Sequence, residues 1–304
     1  MREVKQIKEK EDENSLFDEI KFKSQAAMEY LMTYGWAILI IALSLVVLYS
    51  LGIMNPKNFI PRAPPGSCFV FRPNGPGTTD FVSLQGTCGY LPMYVASFDG
   101  VGSYVEVPHS TTLEPTEFTL SLWIFPVQWN HNPTATALIA KRVLTSNGYI
   151  IFWLASTNTI NWDWGGYSYR WNTGYLPPLN TWTHLVFVRD SAGRRLYVNG
   201  ALQASTTDAG ASVTSGSVLR IGMDTYAAEY WFKGLIYGVG IYNTALTPQE
   251  IRYLYQQGLG GGPVRLQNLV AWWPLNGDAK DYSGNNNHGT INGGVTFVQN
   301  YNPP

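Results

Sequence analysis

Hydrophobic and polar residues alternate along most of the second half of this chain. Residues 118–124 show the pattern clearly, because Phe118, Leu120 and Leu122 are separated by Thr and Ser. A period of two is typical of half-buried β-strands. Asn199-Gly200 follows another such run and suits a two-residue hairpin turn, which needs positive φ angles. The pattern predicts a mainly β fold, an antiparallel β-sandwich with a substantial core.

One short helix interrupts the β pattern. Thr247 suits an N-cap, Pro248 suits the first helical position, and Glu250 completes a capping box. Gly258 is placed to end the helix.

A long apolar run near the other end of the chain predicts a second helix. The run from Leu31 to Leu51 carries no charged residue. At a rise of about 1.5 Å per residue it spans roughly 30 Å, the thickness of a bilayer's hydrocarbon core. Glu29 stands just before it, and an ionised carboxylate at the edge of lipid usually has a dedicated partner. We therefore predict a membrane-inserting helix over residues 25–54.

The leader before this helix, residues 1–24, is polar and has no apolar stretch of its own. A secretory signal would be cleaved after an apolar stretch rather than before it. The helix opens with the run Gln25-Ala26-Ala27-Met28-Glu29-Tyr30-Leu31, which resembles an archaeal class III signal sequence, the processing site of type IV pilin-like proteins. The resemblance implies cleavage between Ser24 and Gln25 by a prepilin-type leader peptidase. It also implies that Glu29 neutralises the freed α-amine of Gln25 in an adjacent subunit.

Charge and cysteine content narrow the possible partners and the compartment. The net charge of −1 gives no basic surplus for nucleic acid, so we expect no such partner. The only two cysteines, Cys68 and Cys88, lie in a Pro/Gly-rich linker over residues 55–93. An even count in an exported segment favours a disulfide. That bridge would close a loop of about 20 residues and contribute roughly 3 kcal/mol in the chain-entropy model.

Five segments of the β-rich part together resemble a known family. In order they are Ser97-Phe98-Asp99-Gly100 with Tyr104-Val105, then Phe118–Trp123, Trp182–His184, Leu196–Gly200 and Gly234–Ile251. Over residues 94–257 this set is similar to the laminin-G-like, concanavalin A-like lectin/glucanase jelly roll. The resemblance implies an adhesion domain that binds carbohydrate or protein ligands.

The strand, tryptophan and Asn/Gly-rich acidic loop that usually open this family's domain stand after the helix here, at residues 269–290. We favour a circularly permuted sandwich over residues 94–304, with residues 264–304 supplying the displaced strands. In one alternative this segment completes a neighbouring subunit's sheet. In another it is a truncated second repeat.

The acidic residues do not form a hydrolytic pattern. Glycoside hydrolysis needs paired carboxylates facing one another across the bond, and acids at alternate strand positions would supply them. No such spacing occurs in the part after the leader, and neither Gly-x-Ser-x-Gly nor His-Glu-x-x-His is present in the chain. We predict that the protein is not an enzyme.

An aromatic-rich segment over residues 160–171 is the candidate ligand surface. Its rings and one guanidinium would form a platform for sugar rings or for a partner protein. The alternative is that some of the rings fill the sandwich interior. The candidate residues are Trp162, Trp164, Tyr167, Tyr169, Arg170 and Trp171.

A second candidate site is a calcium site. Asp278, Asp281 and Asn285 lie in one flexible loop, and Asp99 adds another carboxylate. Oxygen donors of this kind suit Ca²⁺, and the family resemblance raises that expectation. The alternative is that Asp and Asn serve here as turn formers.

Taken together, the sequence predicts a surface-exposed, type IV pilin-like subunit that displays a lectin-like adhesion domain outside the cell. The expected partners are the membrane, other pilin-like subunits, the leader peptidase, and glycans or surface proteins. Two alternatives stay open: a membrane-anchored lectin-like protein that never polymerises and, less favoured, a glycan hydrolase.

Overall fold

The computed structural model describes residues 32, 34–47, 67–71, 81–85, 92–143, 147–227 and 229–299, with backbone alone for 67–71 and 81–85. The chain divides into two compact units, Met1–Pro61 and Arg62–Pro304.

In the first unit, residues 34–47 form a helix, α1. Its large apolar side chains are all 47–66% exposed, from Tyr34 to Val47. Ser24, Gln25 and Glu29 lie outside the described residues, so the cleavage site stays a prediction. Within the part of the chain that the structure describes, no helix is both long enough and apolar enough to span a membrane.

The second unit begins with an isolated antiparallel hairpin of two strands, β1 (Ser67–Phe71) and β2 (Phe81–Gln85). Cys68 lies in β1, where its backbone faces Leu84. Cys88 lies outside the described residues, so the disulfide also stays a prediction.

The rest of the second unit is a sandwich of two antiparallel sheets, which confirms the predicted fold class. Its strands are β3 (Val95–Asp99), β4 (Tyr104–Val107), β5 (Phe118–Gln128), β6 (Ala135–Val143), β7 (Asn147–Leu154), β8 (Thr159–Trp164), β9 (Arg170–Asn172), β10 (Thr183–Asp190), β11 (Gly193–Val198), β12 (Ala201–Thr206), β13 (Leu219–Ile221), β14 (Lys233–Tyr242), β15 (Leu269–Trp273), β16 (Thr290–Asn292) and β17 (Thr296–Val298).

One sheet has eight strands in the order β12-β11-β10-β5-β14-β3-β17, with β15 also paired to β14. The other has seven strands in the order β16-β4-β13-β6-β7-β8-β9. The main core lies between them and contains apolar residues from both inner faces, among them Leu120, Phe187, Val105 and Ile151.

Local sequence signals account for two connections. Asn199 and Gly200 have φ angles of 49° and 79° and join β11 directly to β12, as the hairpin prediction requires. The helix α2 (Pro248–Gln256) begins with the predicted capping box between Thr247 and Glu250. Its buried residues pack with the outer side of the eight-stranded sheet, so that sheet is covered on both faces.

The C-terminal strands pair within their own chain and belong to both sheets. Trp272 in β15 faces Gly240 in β14, and Phe297 in β17 faces Ala96 in β3, both in the eight-stranded sheet. In the seven-stranded sheet, β16 lies against β4. The origin of this strand order by circular permutation stays a prediction.

Candidate functional site

The seven-stranded sheet has a face that points away from the main core and carries the candidate site. In β4, Val105 and Val107 are core residues, so the alternate residues Tyr104 and Glu106 lie on the other side. Directly paired residues share a face, and the pairings continue this side across all seven strands. The resulting row is Thr290, Glu106, Arg220, Ala140, Ile150, Asp163 and Arg170. We call this side of the sheet, with the loop residues that contact it, the outer face.

The first charged group on the outer face joins β4 to β13. The Arg220 Nε and Nη2 atoms each lie 2.9 Å from Glu106 Oε2. The guanidinium carbon of Arg220 lies 4.7 Å from the centre of the Tyr104 ring. A cation over a ring at this distance is attracted by the ring's quadrupole.

The second group joins β6 to the loop after β13. Arg142 Nε donates to Asp224 Oδ1 at 2.9 Å, and Arg142 Nη2 donates to Asp224 Oδ2. The Arg142 guanidinium carbon lies 5.9 Å from the centre of the Tyr226 ring. Asp224 is fully buried whereas Tyr226 is 53% exposed, so the ion pair holds an accessible ring in place.

The third group joins β8 to β9. Arg170 Nε and Nη2 donate to the two carboxylate oxygens of Asp163, each at 2.8 Å. The Arg170 guanidinium carbon lies 4.1 Å from the Tyr167 ring centre and 4.8 Å from that of Phe152. Tyr167 is 57% exposed. The outer face therefore repeats one motif three times: a carboxylate, an arginine and an aromatic ring.

The second and third groups influence one another electrostatically. Burial opposes the charge of Arg142, but the carboxylates of Asp224 and Asp163 outweigh it and raise the pKa of Arg142. Burial is also the largest influence on Asp163 and raises its pKa, although Arg170, Arg142 and Arg194 act in the opposite sense. The ion pairs are thus partly removed from water and hold their side chains in fixed positions.

This arrangement is suited to binding hydroxyl-rich ligands. Exposed tyrosine rings offer flat apolar surfaces, the Glu106 carboxylate offers an acceptor, and the partly exposed guanidinium groups of Arg170 and Arg220 offer donors at defined positions. Glu106 and Arg220 are the accessible ion pair, with side chains 33% and 20% exposed.

The predicted aromatic segment is divided between the core and the surface. Trp162 and Trp164 are 0% and 1% exposed and lie in the main core, where Trp164 is 4.7 Å from Phe118 between ring centres. They share a strand face, but it is the inner face, so neither ring reaches the outer face. The polar residues at the alternate positions, Asn161 and Asp163, point outward.

The remaining members of the segment lie at the edge of the seven-stranded sheet. Tyr167 and Tyr169 are exposed on the short 3₁₀ turn before β9, and Arg170 reaches the outer face. Trp171 is half-buried, with its ring centre 6.2 Å from that of Trp162. Of the six predicted ligand residues, Tyr167 and Arg170 take part in the third group.

Sequence reasoning missed the other two groups. The alternation Tyr104-Val105-Glu106-Val107 was a usable signal, because it places Tyr104 and Glu106 on one side of a strand. Arg142, Arg220 and Asp224 carry no local signal, since their partners are distant in sequence.

The predicted calcium ligands are used in turns. Asp99 Oδ1 accepts from the backbone N–H groups of Val101, Gly102 and Ser103. The Asn285 amide donates to backbone carbonyls of β15, at 2.8 Å to Leu269 and 3.0 Å to Val270.

The two acids of the C-terminal loop behave differently. Asp281 is buried and accepts backbone N–H groups from Trp272, Ser283 and Asn287. Asp278 is half-buried and accepts from the Lys280 N–H and the Tyr282 hydroxyl. Across the described residues, no three His, Cys, Asp or Glu side chains are grouped so as to hold a metal ion. The carboxylates do not fit a calcium site, and calcium binding stays a prediction from sequence.

A buried histidine lies away from the outer face, under α2. His184 is 1% exposed in an apolar strand, and its Nε2 lies 2.9 Å from Ser121 Oγ. Burial lowers the pKa of His184 to about 3, so the ring is neutral near pH 7. The adjoining cavity of about 30 Å³ has room for little more than a water molecule.

Comparison with known proteins agrees with the architecture. Residues 99–252 match the laminin G-type family described as the concanavalin A-like lectin/glucanases superfamily. A 99-residue stretch is 32% identical to the human adhesion G-protein coupled receptor D1, and it covers 31% of this chain and 11% of the receptor.

One solved structure shows a similar fold, and a second gives a weaker match. A Bacteroides ovatus protein assigned as carbohydrate binding superposes with a TM-score of 0.55 at 17% identity, over 69% of this chain and 60% of that protein. A heptameric SAP-like pentraxin from Limulus polyphemus gives 0.49 at 12% identity, over 68% of this chain and 95% of that chain. At these identities the likeness concerns the fold alone. The family match, together with the two-sheet sandwich, shows that this chain belongs to the concanavalin A-like lectin/glucanases superfamily.

Proposed function

We propose that the sandwich is a lectin-like binding domain and that the outer face of its seven-stranded sheet binds carbohydrate. The observation that carries the proposal is the threefold repetition of an aromatic ring, an arginine and a carboxylate on this face. Sugar rings present apolar C–H faces and hydroxyl groups, which match tyrosine rings and fixed polar groups. The assignment of the similar Bacteroides ovatus protein supports the same choice.

A binding role fits the outer face better than hydrolysis does. A glycosidase needs one carboxyl group that carries a proton and a second that attacks or activates water. On the outer face each of the carboxylates Glu106, Asp163 and Asp224 is held by an arginine. Such pairing occupies the oxygen atoms that the chemistry would use.

Removing the exposed rings tests the proposal. We expect the double substitution Tyr167→Ala and Tyr226→Ala to weaken binding of an array-selected oligosaccharide at least tenfold. The reason is that loss of ring stacking costs about 1–2 kcal/mol for each ring. The measurement is a glycan array followed by titration of the full-length chain in detergent micelles.

Tyr253→Ala and Tyr255→Ala form the matched control. Tyr253 and Tyr255 are 37% and 36% exposed on α2, against the opposite sheet, and their removal should change affinity less than twofold. Equal losses in the two double variants would contradict a site on the outer face. Absence of any bound glycan would contradict the carbohydrate proposal itself.

We further propose that a pilin-like N-terminus displays this domain at the cell surface. The support is the run from Gln25 to Leu31 and the apolar helix α1, whose side chains are exposed around its circumference. An apolar helix without a polar face needs lipid or other helices around it. Cleavage after Ser24 would let Glu29 pair with the amine of Gln25 in a filament core.

Mass spectrometry of the N-terminus and a filament assay test this display. We expect a mature chain that starts at Gln25, and we expect Glu29→Ala to reduce filament yield at least tenfold because a partner for the buried amine is lost. Glu19→Ala is the control, since Glu19 would be removed with the leader. An uncut leader, or filaments indifferent to Glu29→Ala, would favour the non-polymerising membrane-anchored lectin.

A further inference from the structure

The ion pairs of the outer face also bear on which glycans it accepts. In each pair the carboxylate lies against the same edge of the guanidinium group, the edge formed by Nε and Nη2. This holds for Arg220 with Glu106, for Arg142 with Asp224 and for Arg170 with Asp163.

That edge is one of the two on which a guanidinium group can present a pair of N–H donors to a ligand. Arginine recognises carboxylate, sulfate and phosphate groups best when two parallel N–H donors face two oxygens. On the outer face the Nε and Nη2 edge of each arginine is already occupied by an internal carboxylate. The remaining Nη1 donor of Arg220 is directed at a backbone carbonyl, that of Asp224, at 3.3 Å.

The charges of these groups also cancel. Arg142, Arg170 and Arg220 balance Glu106, Asp163 and Asp224, so the face has no net positive charge to attract an anion. An acidic sugar would bring a further carboxylate close to that of Glu106, with the buried carboxylates of Asp163 and Asp224 behind the same face. Like-charge contact at an interface is strongly unfavourable, whereas neutral hydroxyl groups donate readily to carboxylate oxygens.

We propose that the outer face binds uncharged glycans and discriminates against glycans that carry a carboxylate or sulfate group. This inference rests on the proposed carbohydrate-binding function and assigns its ligand class. Glu106 is the residue that enforces the selectivity, because its side chain is the most exposed of the three carboxylates, at 33%.

The test uses ligands that differ in charge but not in shape. The probe is the tightest-binding neutral oligosaccharide from the array, capped either with a uronic acid or with the corresponding uronamide. The full-length chain in detergent micelles is titrated with both. We expect the uronamide form to bind at least tenfold more tightly than the uronate form, and we expect this ratio to fall as salt is raised.

Substitution of Glu106 then assigns the cause. Glu106→Gln removes one negative charge beside Arg220, so the ratio should fall to threefold or less, and any change in affinity common to the two ligands cancels in this ratio. Glu117→Gln is the matched control, since Glu117 is exposed before β5 in the other sheet and the ratio should stay near tenfold.

Two results would overturn the inference while leaving the proposed function intact: tighter binding of the uronate form by the unsubstituted chain, or a ratio that Glu106→Gln does not change. Failure of every array glycan to bind would instead overturn the proposed function, and the ligand class with it.

Discussion

Ending the chain at residue 263 is expected to abolish cooperative folding of the sandwich. The deletion removes β15 and with it Trp272 and Trp273, which are 2% and 0% exposed. It also removes β16 from one sheet and β17 from the other. Loss of a buried tryptophan costs about 3–5 kcal/mol, and the whole stability of a domain is about 5–15 kcal/mol. The measurement is near-ultraviolet circular dichroism and thermal unfolding of the shortened and full-length chains.

Single substitutions in the full-length chain show how much of the free energy of unfolding one residue contributes. Trp273→Ala should lower the free energy of unfolding by about 3–5 kcal/mol but leave a folded protein, because the strand pairings persist. Met93→Ala is the matched exposed control, at 64% exposure, and should change it by less than about 0.5 kcal/mol. Cooperative melting of the shortened chain at an unchanged temperature would contradict the place we assign to the C-terminal strands.

The second large effect is expected at Asp281. We expect Asp281→Ala to lower the free energy of unfolding by about 3–5 kcal/mol, because the carboxylate is buried and accepts four hydrogen bonds. Each bond to a charged group contributes about 1.5–3 kcal/mol and the sum is not additive, so the estimate stays below their total. The donors left behind are three backbone N–H groups and the Ser283 hydroxyl. Urea unfolding measures the change.

Asp278→Ala is the matched control in the same loop. Asp278 is half-buried and accepts hydrogen bonds from the Lys280 N–H and the Tyr282 hydroxyl, so its loss should cost about 1 kcal/mol, less than the loss of Asp281. Both variants are compared in calcium and in chelator. We expect Asp281→Ala to lower the free energy of unfolding by the same amount in calcium and in chelator, because the Asp281 carboxylate orders the loop through its hydrogen bonds. Suppose instead that calcium raises the free energy of unfolding of the parent chain and that both variants lose this increase equally. That result would contradict the loop-ordering role and support the calcium site.

The fold could be predicted from sequence because its signals are local. The capping box at Thr247 and Glu250 and the Asn199-Gly200 turn are each contained within a few residues, and the structure has both. Alternation also identified the strands. It placed Trp162 and Trp164 on one strand face correctly, but a period of two does not say which face is inward.

The candidate site could be predicted only in part because its groups are joined across the sheet. Glu106 and Arg220 are 114 positions apart, and Arg142 and Asp224 are 82 apart. Tyr167 and Arg170 were found because they lie within one aromatic-rich segment.

The acids of the C-terminal loop also could not be assigned from sequence. Asp in an Asn/Gly-rich loop suits both a turn and a metal ion, and only the hydrogen bonds of Asp281 distinguish the two uses.

The location of the ligand surface is the central claim, and hydrogen–deuterium exchange tests it most directly. The full-length chain in detergent micelles is compared with and without a saturating amount of the tightest-binding array glycan. We expect slower exchange in peptides that cover residues 104–107, 165–172 and 219–227, and no change in α2 or β12. Protection confined to α2 and β12, with none on the seven-stranded sheet, would contradict the account.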